Sequence, residues 1–488
     1  MDKYSEERTQ SWRVELRNSM KPKERMKIPR AKMPELLPEY RCHTMKEEVN
    51  LGLTPQMAMT EAKRCLDCAK PTCIEGCPVN IDIPTFIKNI ERGNFLEAAK
   101  TLKKSSMLPA VCGRVCPQEK QCEAQCIYLK TNKEAIAIGY LERFAADYER
   151  ESGNMSIPEK APANHIKVAV VGSGPASLSF AGDMAKMGYE VVVFEALHEI
   201  GGVLKYGIPE FRLPNYVVDV EVQNLKTLGV QFVTNCIVGK TLTLKDLEDE
   251  GYKGLFIGSG AGLPRFMNIK GENLVGVMSA NEYLTRVNLM DAADPEAETP
   301  IFRGKKVAVI GGGNTAIDAV RTARRLGAEK AMIIYRRTEQ EMPARIEEVK
   351  HAKEEGIEFM MLRNPKEYIG DEKGRVIQML LQVMKLGEVD DSGRQTPVPV
   401  IGETELIDVD EVIISIGVSP NPLIPQSVKG LEVTKRGKLV VNNETMQATI
   451  PNIFAGGDIV RGSATVILAM GDGRRAAKGM DRWLKNQQ

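Results

Sequence analysis

Eight of the ten cysteines fall between Cys65 and Cys126. Their order is Cys65-x2-Cys68-x4-Cys73-x3-Cys77-Pro78, then Cys112-x3-Cys116-Pro117-x4-Cys122-x3-Cys126. Disulfides would be distributed along a secreted chain, whereas the N-terminus, Met1 to Arg8, is charged and has no apolar signal core. Zinc sites favour paired C-x2-C knuckles or mixed Cys/His sets. Only Cys65 and Cys68 form such a pair, and of the histidines His43, His165, His198 and His351 only His43 lies nearby.

The run C-x2-C-x4-C-x3-C-P instead has ferredoxin spacing, in which the Cys before Pro serves a different cluster from the first three. Two four-iron clusters need eight ligands, and a simple sum assigns four cysteines to each. Cys42 and Cys236 are isolated and read as ordinary thiols.

Two dinucleotide fingerprints follow. Ile166 to Val171 reads as a buried parallel strand, followed by Gly172-Ser173-Gly174-Pro175-Ala176-Ser177, a helical stretch to Gly188, and a strand ending in Glu195. Gly172 permits the tight turn, Gly174 lets backbone amides approach a pyrophosphate, and Glu195 is placed to accept from a ribose hydroxyl. Ser177 replaces the third glycine. The pattern repeats from Lys306 to Ile310, with Gly311-Gly312-Gly313-Asn314-Thr315-Ala316, a helix to Gly327, and a strand that ends in Arg336 and Arg337. An acid at that position favours a free 2′-hydroxyl and an arginine favours a 2′-phosphate. The first site therefore suits FAD and the second NADPH, the alternative for the arginines being a solvated strand end. Thr449 to Asp458 forms a further strand, turn and acid, with Asp458 placed to meet a flavin or to cap a turn. Thr465 to Ala477 reads as a closing helix interrupted by Gly471 and Gly473. Phe256 to Gly260 and Ile414 to Gly417 have the look of domain crossovers.

Together these motifs resemble the two-dinucleotide-binding-domain flavoproteins. The resemblance is strongest to the subfamily holding the small subunit of NADPH-dependent glutamate synthase, the large subunit of NADH-dependent reduced ferredoxin:NADP oxidoreductase (sulfide dehydrogenase), and the N-terminal half of dihydropyrimidine dehydrogenase. It runs from about Arg41 to the C-terminus and rests most specifically on the cysteine region, Gly207-Ile208-Pro209-Glu210-Phe211-Arg212-Leu213-Pro214, and Ala455-Gly456-Gly457-Asp458. Leu108 to Glu119 looks more like the ferredoxin-linked branch.

The resemblance replaces the four-plus-four sum. It implies that Cys65, Cys68, Cys73 and Cys126 hold one 4Fe–4S cluster, and that Cys77, Cys116, Cys122 and Glu142 hold the other. Cys112 is then a spare thiol. It further implies FAD contacts at Gly172, Gly174, Pro175, Ala176, Glu195, Gly202, Val203, Arg212, Gly457, Asp458 and Thr465. NADPH contacts are implied at Gly311, Gly313, Asn314, Thr315, Ala316, Arg336 and Arg337. The implied fold is α/β, two Rossmann-like domains, one inserted in the other, behind a helical iron–sulfur domain. The divisions are 1–160 for the iron–sulfur domain, 161–290 and 411–488 for the split FAD domain, and 291–410 for the NADP-binding domain. Gly153 to Ala163 reads as a linker, and the polar stretch Ala292 to Glu298 as the entrance to the inserted domain.

The expected activity is electron transfer between NADPH and a partner through FAD and two clusters, because a flavin accepts a hydride and releases single electrons. No acid/base side chain is needed for hydride transfer, so no catalytic residue is assigned. A dithiol exit would need a C-x-x-C beyond Cys126, and none exists. Autonomous glutamate synthesis fails too, since position 2 is Asp2 rather than an N-terminal cysteine and no length remains for an FMN barrel. The expected partner is a ferredoxin–NADP reductase-like flavin and iron–sulfur subunit, or a glutamate synthase large subunit. A non-catalytic relay or redox-sensing scaffold is the competing class. Lys plus Arg is 66 against 65 for Asp plus Glu, a net charge of +1 that gives no electrostatic ground for nucleic acid or an anionic membrane. No run reaches the roughly 18 apolar residues of a membrane span, and a cytoplasmic location is expected.

Overall fold

The computed structural model describes residues 3–390 and 393–487; Asp2 and the other remaining positions lie outside the described residues. The named elements between residues 3 and 151 are α-helices and 3-10 turns. Helices start where sequence supplies a cap or a proline: Thr54 accepts from Met57 N ahead of Pro55–Arg64, and Asp82 accepts from Thr85 N ahead of Ile83–Glu91. Helix Ile138–Glu151 packs on Pro109–Val115, so the two cysteine-bearing halves share one core. Residues 153–166 carry no helix or strand.

Behind it lie two five-stranded parallel sheets. In the first, the order is Ile453–Ala455, Tyr252–Ile257, Lys167–Val171, Glu190–Phe194, Gln231–Val233. The inner strands Lys167–Val171 and Tyr252–Ile257 bury nearly continuous apolar runs because both faces are covered, whereas the edge strand Gln231–Val233 stays partly exposed. The last helix, Val466–Lys485, lies against Pro175–Lys186 on one face. It extends past Ala477, the expected end. Its glycines are contact points and do not break it: a methyl on Gly473 would stand 2.1 Å from Ala176 O, and one on Gly471 would stand 2.9 Å from Pro78 O.

The second sheet has the order Val277–Ser279, Glu411–Ile414, Lys306–Ile310, Lys330–Tyr335, Glu358–Met361. An antiparallel three-stranded meander, Arg363–Gly370, Val376–Val389 and Gln395–Asp408, follows it in the chain. Val277–Ser279 pairs with Val412–Ile414, so the second unit includes strands on both sides of the expected seam at 291 and 410. The polar stretch Ala292 to Glu298 is an internal loop of that unit. The crossings lie nearer the expected crossovers, where Leu263–Pro264 and Val418–Ser419 form a short antiparallel ribbon. Among the described residues no helix is long and apolar enough to cross a membrane.

Candidate redox site: two cysteine groups and two glycine-rich loops

The first cysteine group gathers at one end of the helical domain. Cys65 ends the helix Pro55–Arg64, Cys73 lies in the short turn Thr72–Glu75, and Cys126 ends a 3-10 turn. Cys68, Cys73 and Cys126 are half-buried and Cys65 is buried. Burial pushes the Cys65 thiol up to about 12, and burial followed by the neighbouring sulfurs of Cys65, Cys126 and Cys68 pushes Cys73 up as well. Asp67, in the loop between Cys65 and Cys68, has positive φ and is pinned by Arg13 at 2.6 Å and Arg17 at 2.7 Å. Tyr4 donates to the carbonyl of Cys68 at 2.5 Å.

The second group is wholly buried. Cys77, Cys116, Cys122 and Glu142 are 7%, 5%, 8% and 6% exposed. Their fields overlap: the Glu142 charge raises Cys77, Cys116 and Cys122 behind larger burial or thiol contributions. Glu142 faces inward from the helix Ile138–Glu151, and its Oε1 has no hydrogen-bond partner. Burial and then the Glu221 charge lift its carboxyl to about 8. A carboxylate placed this way without a partner is costly. A cation or cluster taking Oε1 would satisfy it, so the donor set fits an iron–sulfur group. Cys112 lies against this group, its thiol hydrogen-bonded to that of Cys116 and its Sγ also 3.5 Å from the Met470 thioether. The thiolates that such groups require are disfavoured by burial alone and need a metal charge to exist.

The first glycine-rich loop sits at the carboxyl edge of its sheet. Gly172 has φ +88 and approaches Gly258, where a methyl would stand 2.8 Å from the carbonyl. Gly174 caps the helix Pro175–Lys186, and a methyl on it would meet nothing within 4 Å, which leaves its amide face open to a ligand. Pro175 and Ala176 are buried in that helix's first turn. Gly202 has φ +56 and approaches Gly174; Val203 is exposed beside it. Glu195 is buried at the end of the second strand. Its Oε2 accepts from Ser173 N at 2.8 Å and Ser173 Oγ at 2.6 Å, and its Oε1 accepts from Leu197 N. The sheet brings the far end of the chain to the same edge. Gly457 has φ +77, and a methyl on it would stand 3.0 Å from the Ala176 methyl. Asp458 follows it, its carboxyl raised to about 6 by burial. Thr465 caps the last helix and accepts from Leu468 N and from Gln121 Nε2.

Arg212 is buried, and its Nη1 lies 2.6 Å from Asp318 of the second unit, with Glu348 at 3.2 Å from its Nε, so it ties the two nucleotide units together.

The second loop repeats the geometry. Gly311 has φ +139 and approaches Ser415 O, where a methyl would stand at 2.3 Å. Gly313 caps the helix Asn314–Arg325, and a methyl on it would meet Pro343 Cγ at 4.0 Å. Asn314 is half-buried, Thr315 exposed and Ala316 buried against the sheet. Arg336 is exposed at the strand end. Arg337 is buried: its Nε donates to Gln395 O at 2.7 Å and its Nη2 to Asp390 at 2.9 Å. Arg337 thus fastens the meander to the sheet, while Arg336 is exposed.

Comparison with known proteins agrees with this division. Residues 41–154 match the family described as dihydropyrimidine dehydrogenase domain II, 4Fe-4S cluster, and residues 166–473 match pyridine nucleotide-disulphide oxidoreductase. The glutamate synthase [NADPH] small chain of Halomonas elongata is 38% identical over 92% of this chain and 95% of its own length. The NADP(+)-dependent formate dehydrogenase subunit beta of Moorella thermoacetica is 37% identical over 85% of this chain, which spans 60% of that longer protein. Mycobacterium tuberculosis FprA in complex with NADPH shares the fold at TM-score 0.56 and 20% identity, over 66% of this chain and 85% of that one. The chain belongs to the pyridine nucleotide–disulphide oxidoreductase family, in the group that contains the glutamate synthase [NADPH] small chains, and is an oxidoreductase carrying an N-terminal iron–sulfur domain.

Proposed function

We propose that this chain is the NADPH-binding flavoprotein subunit of an electron-transfer assembly, exchanging electrons between NADP(H) and a partner subunit through FAD and two 4Fe–4S clusters. When bound, a flavin takes or gives a hydride at the nicotinamide side and single electrons at the cluster side. The chain's own residues hold and orient these groups. The Gly172–Gly174 loop, Glu195, Gly457, Asp458 and Thr465 would take FAD. The Gly311–Ala316 loop and Arg336 would take NADPH. Cys65, Cys68, Cys73 and Cys126 would hold one cluster, and Cys77, Cys116, Cys122 and Glu142 the other.

One observation carries the reading. Glu142 is a buried carboxylate whose Oε1 has no partner, set among three buried cysteines, and Pro78, next to Cys77, meets the last helix at Gly471, two residues before the Gly473 that meets Ala176 of the first glycine-rich loop. The Leu108 to Glu119 sequence supports a ferredoxin:NADP oxidoreductase-type assembly with a second flavin and iron–sulfur subunit. A glutamate synthase large subunit is the second reading, favoured by the relative that matches over 95% of its own length. Anaerobic co-purification from the source cell, with metal analysis and an NADPH titration, tests both. The expected outcome is about eight irons per chain, flavin bleaching by NADPH and a co-purifying electron acceptor subunit. A protein that binds flavin but no iron, or that NADPH does not bleach, would contradict it.

A further inference from the structure

The segment Pro343–Ile346 lies between the second glycine-rich loop and the loop that carries Cys116. Toward the nucleotide, Ala344 N donates to Gly312 O at 3.2 Å and Arg345 N to Asn314 Oδ1 at 2.8 Å. Toward the cysteines, Lys120 Nζ donates to the carbonyls of Pro343 and Ala344 at 3.0 and 3.1 Å, and Ile346 N donates to Glu119 Oε1 at 3.2 Å. The Arg345 side chain, 4% exposed, donates from Nη1 to Arg114 O at 2.5 Å and from Nη2 to Gln118 Oε1 at 3.0 Å.

These partners bracket the second cysteine group. Arg114 and Gln118 stand two residues on either side of Cys116, and Gln118 also donates to Cys112 O at 3.3 Å. Gln118 is seated on Gly139, where a methyl would overlap it at 2.2 Å, one turn before Glu142. One short strap thus contacts both the loop where a pyrophosphate would land and the backbone that aims the ligands. Arg345 has a second arrangement within reach. Its Nε makes no hydrogen bond and faces Glu119 Oε2 at 3.9 Å.

We propose that the strap Pro343–Ile346 couples nucleotide occupancy of the second loop to the Cys77, Cys116, Cys122 and Glu142 site, with Arg345 as the positioning residue. The inference rests on the reading of both sites given above. A pyrophosphate on the Gly313 and Asn314 amides moves the loop that Ala344 and Arg345 are bonded to. The movement changes how Arg345 divides its donors between Arg114 O, Gln118, Glu119 and Glu347, whose Oε2 lies 2.8 Å from Nη2. Hydrogen bonds and dipoles around a cluster set its potential, so the two equilibria are linked. Linkage is reciprocal: reduction of the cluster must change nucleotide affinity by the same factor.

The test uses the iron-loaded flavoprotein and 2′-phospho-ADP-ribose, a redox-inert fragment that carries the pyrophosphate without the nicotinamide. Its Kd is measured by calorimetry on oxidised and on dithionite-reduced protein, with cluster signals followed by low-temperature EPR. The wild-type protein should show affinities differing by about fivefold or more, at the lower end of common coupling factors. Arg345→Gln should keep its iron and bind the fragment, with the ratio close to one. Should Arg345→Gln lose iron, Lys120→Met, at an exposed position, decides by narrowing the ratio. Equal affinity for both redox states of the wild-type protein, or an unchanged ratio in the iron-replete variant, would overturn the coupling and leave the functional reading intact. Failure of the fragment to bind oxidised wild-type protein would remove the nucleotide reading of the second loop, and the coupling with it.

Discussion

The two cysteine groups occupy one helical domain and differ in almost every physical respect. The first has three half-buried cysteines and lies under the N-terminal helices, where Tyr4, Arg8, Arg13 and Arg17 bind the loop around Asp67 and Cys68. The second has no half-buried member, includes the buried carboxyl of Glu142 beside three cysteines, and neighbours the last helix where Cys112 meets Met470 and Pro78 meets Gly471. In the proposed assembly the second group faces the nucleotide units and the first faces the partner. Exposure suits exchange with another protein. Burial with a charged ligand suits a site whose potential is set internally.

The sharpest way to break this comparison is to remove a ligand from the buried group. Cys122→Ser should lose about half of the bound iron and destabilise the helical domain, because metal binding contributes folding free energy. Cys112→Ser should leave iron content and cluster spectra unchanged. A large iron loss from Cys112→Ser, measured by metal analysis, would mean that the thiol rather than Glu142 completes the group.

The nucleotide loops invite the same treatment. Arg336→Gln should weaken NADPH by about 1.5–3 kcal/mol, roughly ten- to over a hundredfold, with little change for NADH. Arg337→Gln should instead lower thermal stability, since its guanidinium is spent on Asp390 and Gln395 O. Equal losses for both nucleotides in Arg336→Gln would remove the 2′-phosphate assignment.

A pH series on iron-free protein sharpens the contrast between a carboxylate and a thiol. The Glu142 carboxyl rises from an ordinary 4.5 to about 8, through burial first and the Glu221 charge second. Between those values the folded chain holds a proton that the unfolded chain has lost, so this group's contribution to stability falls as pH rises from about 5 to 8. Glu142→Gln should flatten that slope in urea titrations. An unchanged slope would place the titration elsewhere. The smallest expected effect is that of Gly471→Ala, which crowds Pro78 O at 2.9 Å and should cost about 1–3 kcal/mol of stability, read by thermal melting.

Much of this architecture is legible in the residues themselves. Each strand–glycine loop–helix unit follows from local sequence, because β-branched runs, positive-φ glycines and helix N-termini are short-range features. What escapes is what distant segments do to each other. Gly471 and Gly473 look like helix breakers until Pro78 and Ala176 are seen against them. Arg212 shows no link to Asp318 until the two nucleotide units meet. Arg337 looks free until the meander folds back on it. The strand Val277–Ser279 is too short to declare its sheet. Glu142 is harder still: a helical glutamate beside an arginine carries no sign, in sequence alone, that it points inward among cysteines.

The most direct test of the electron route is anaerobic rapid mixing of NADPH with wild-type protein and Cys122→Ser, following flavin absorbance, cluster EPR and reduction of the co-purified partner subunit. Flavin retention in the variant is verified first. Both proteins should bleach their flavin at similar rates, and only the wild type should deliver electrons to the partner. A flavin-replete Cys122→Ser protein, depleted in iron, that still reduced the partner at the wild-type rate would show that electrons leave by another route.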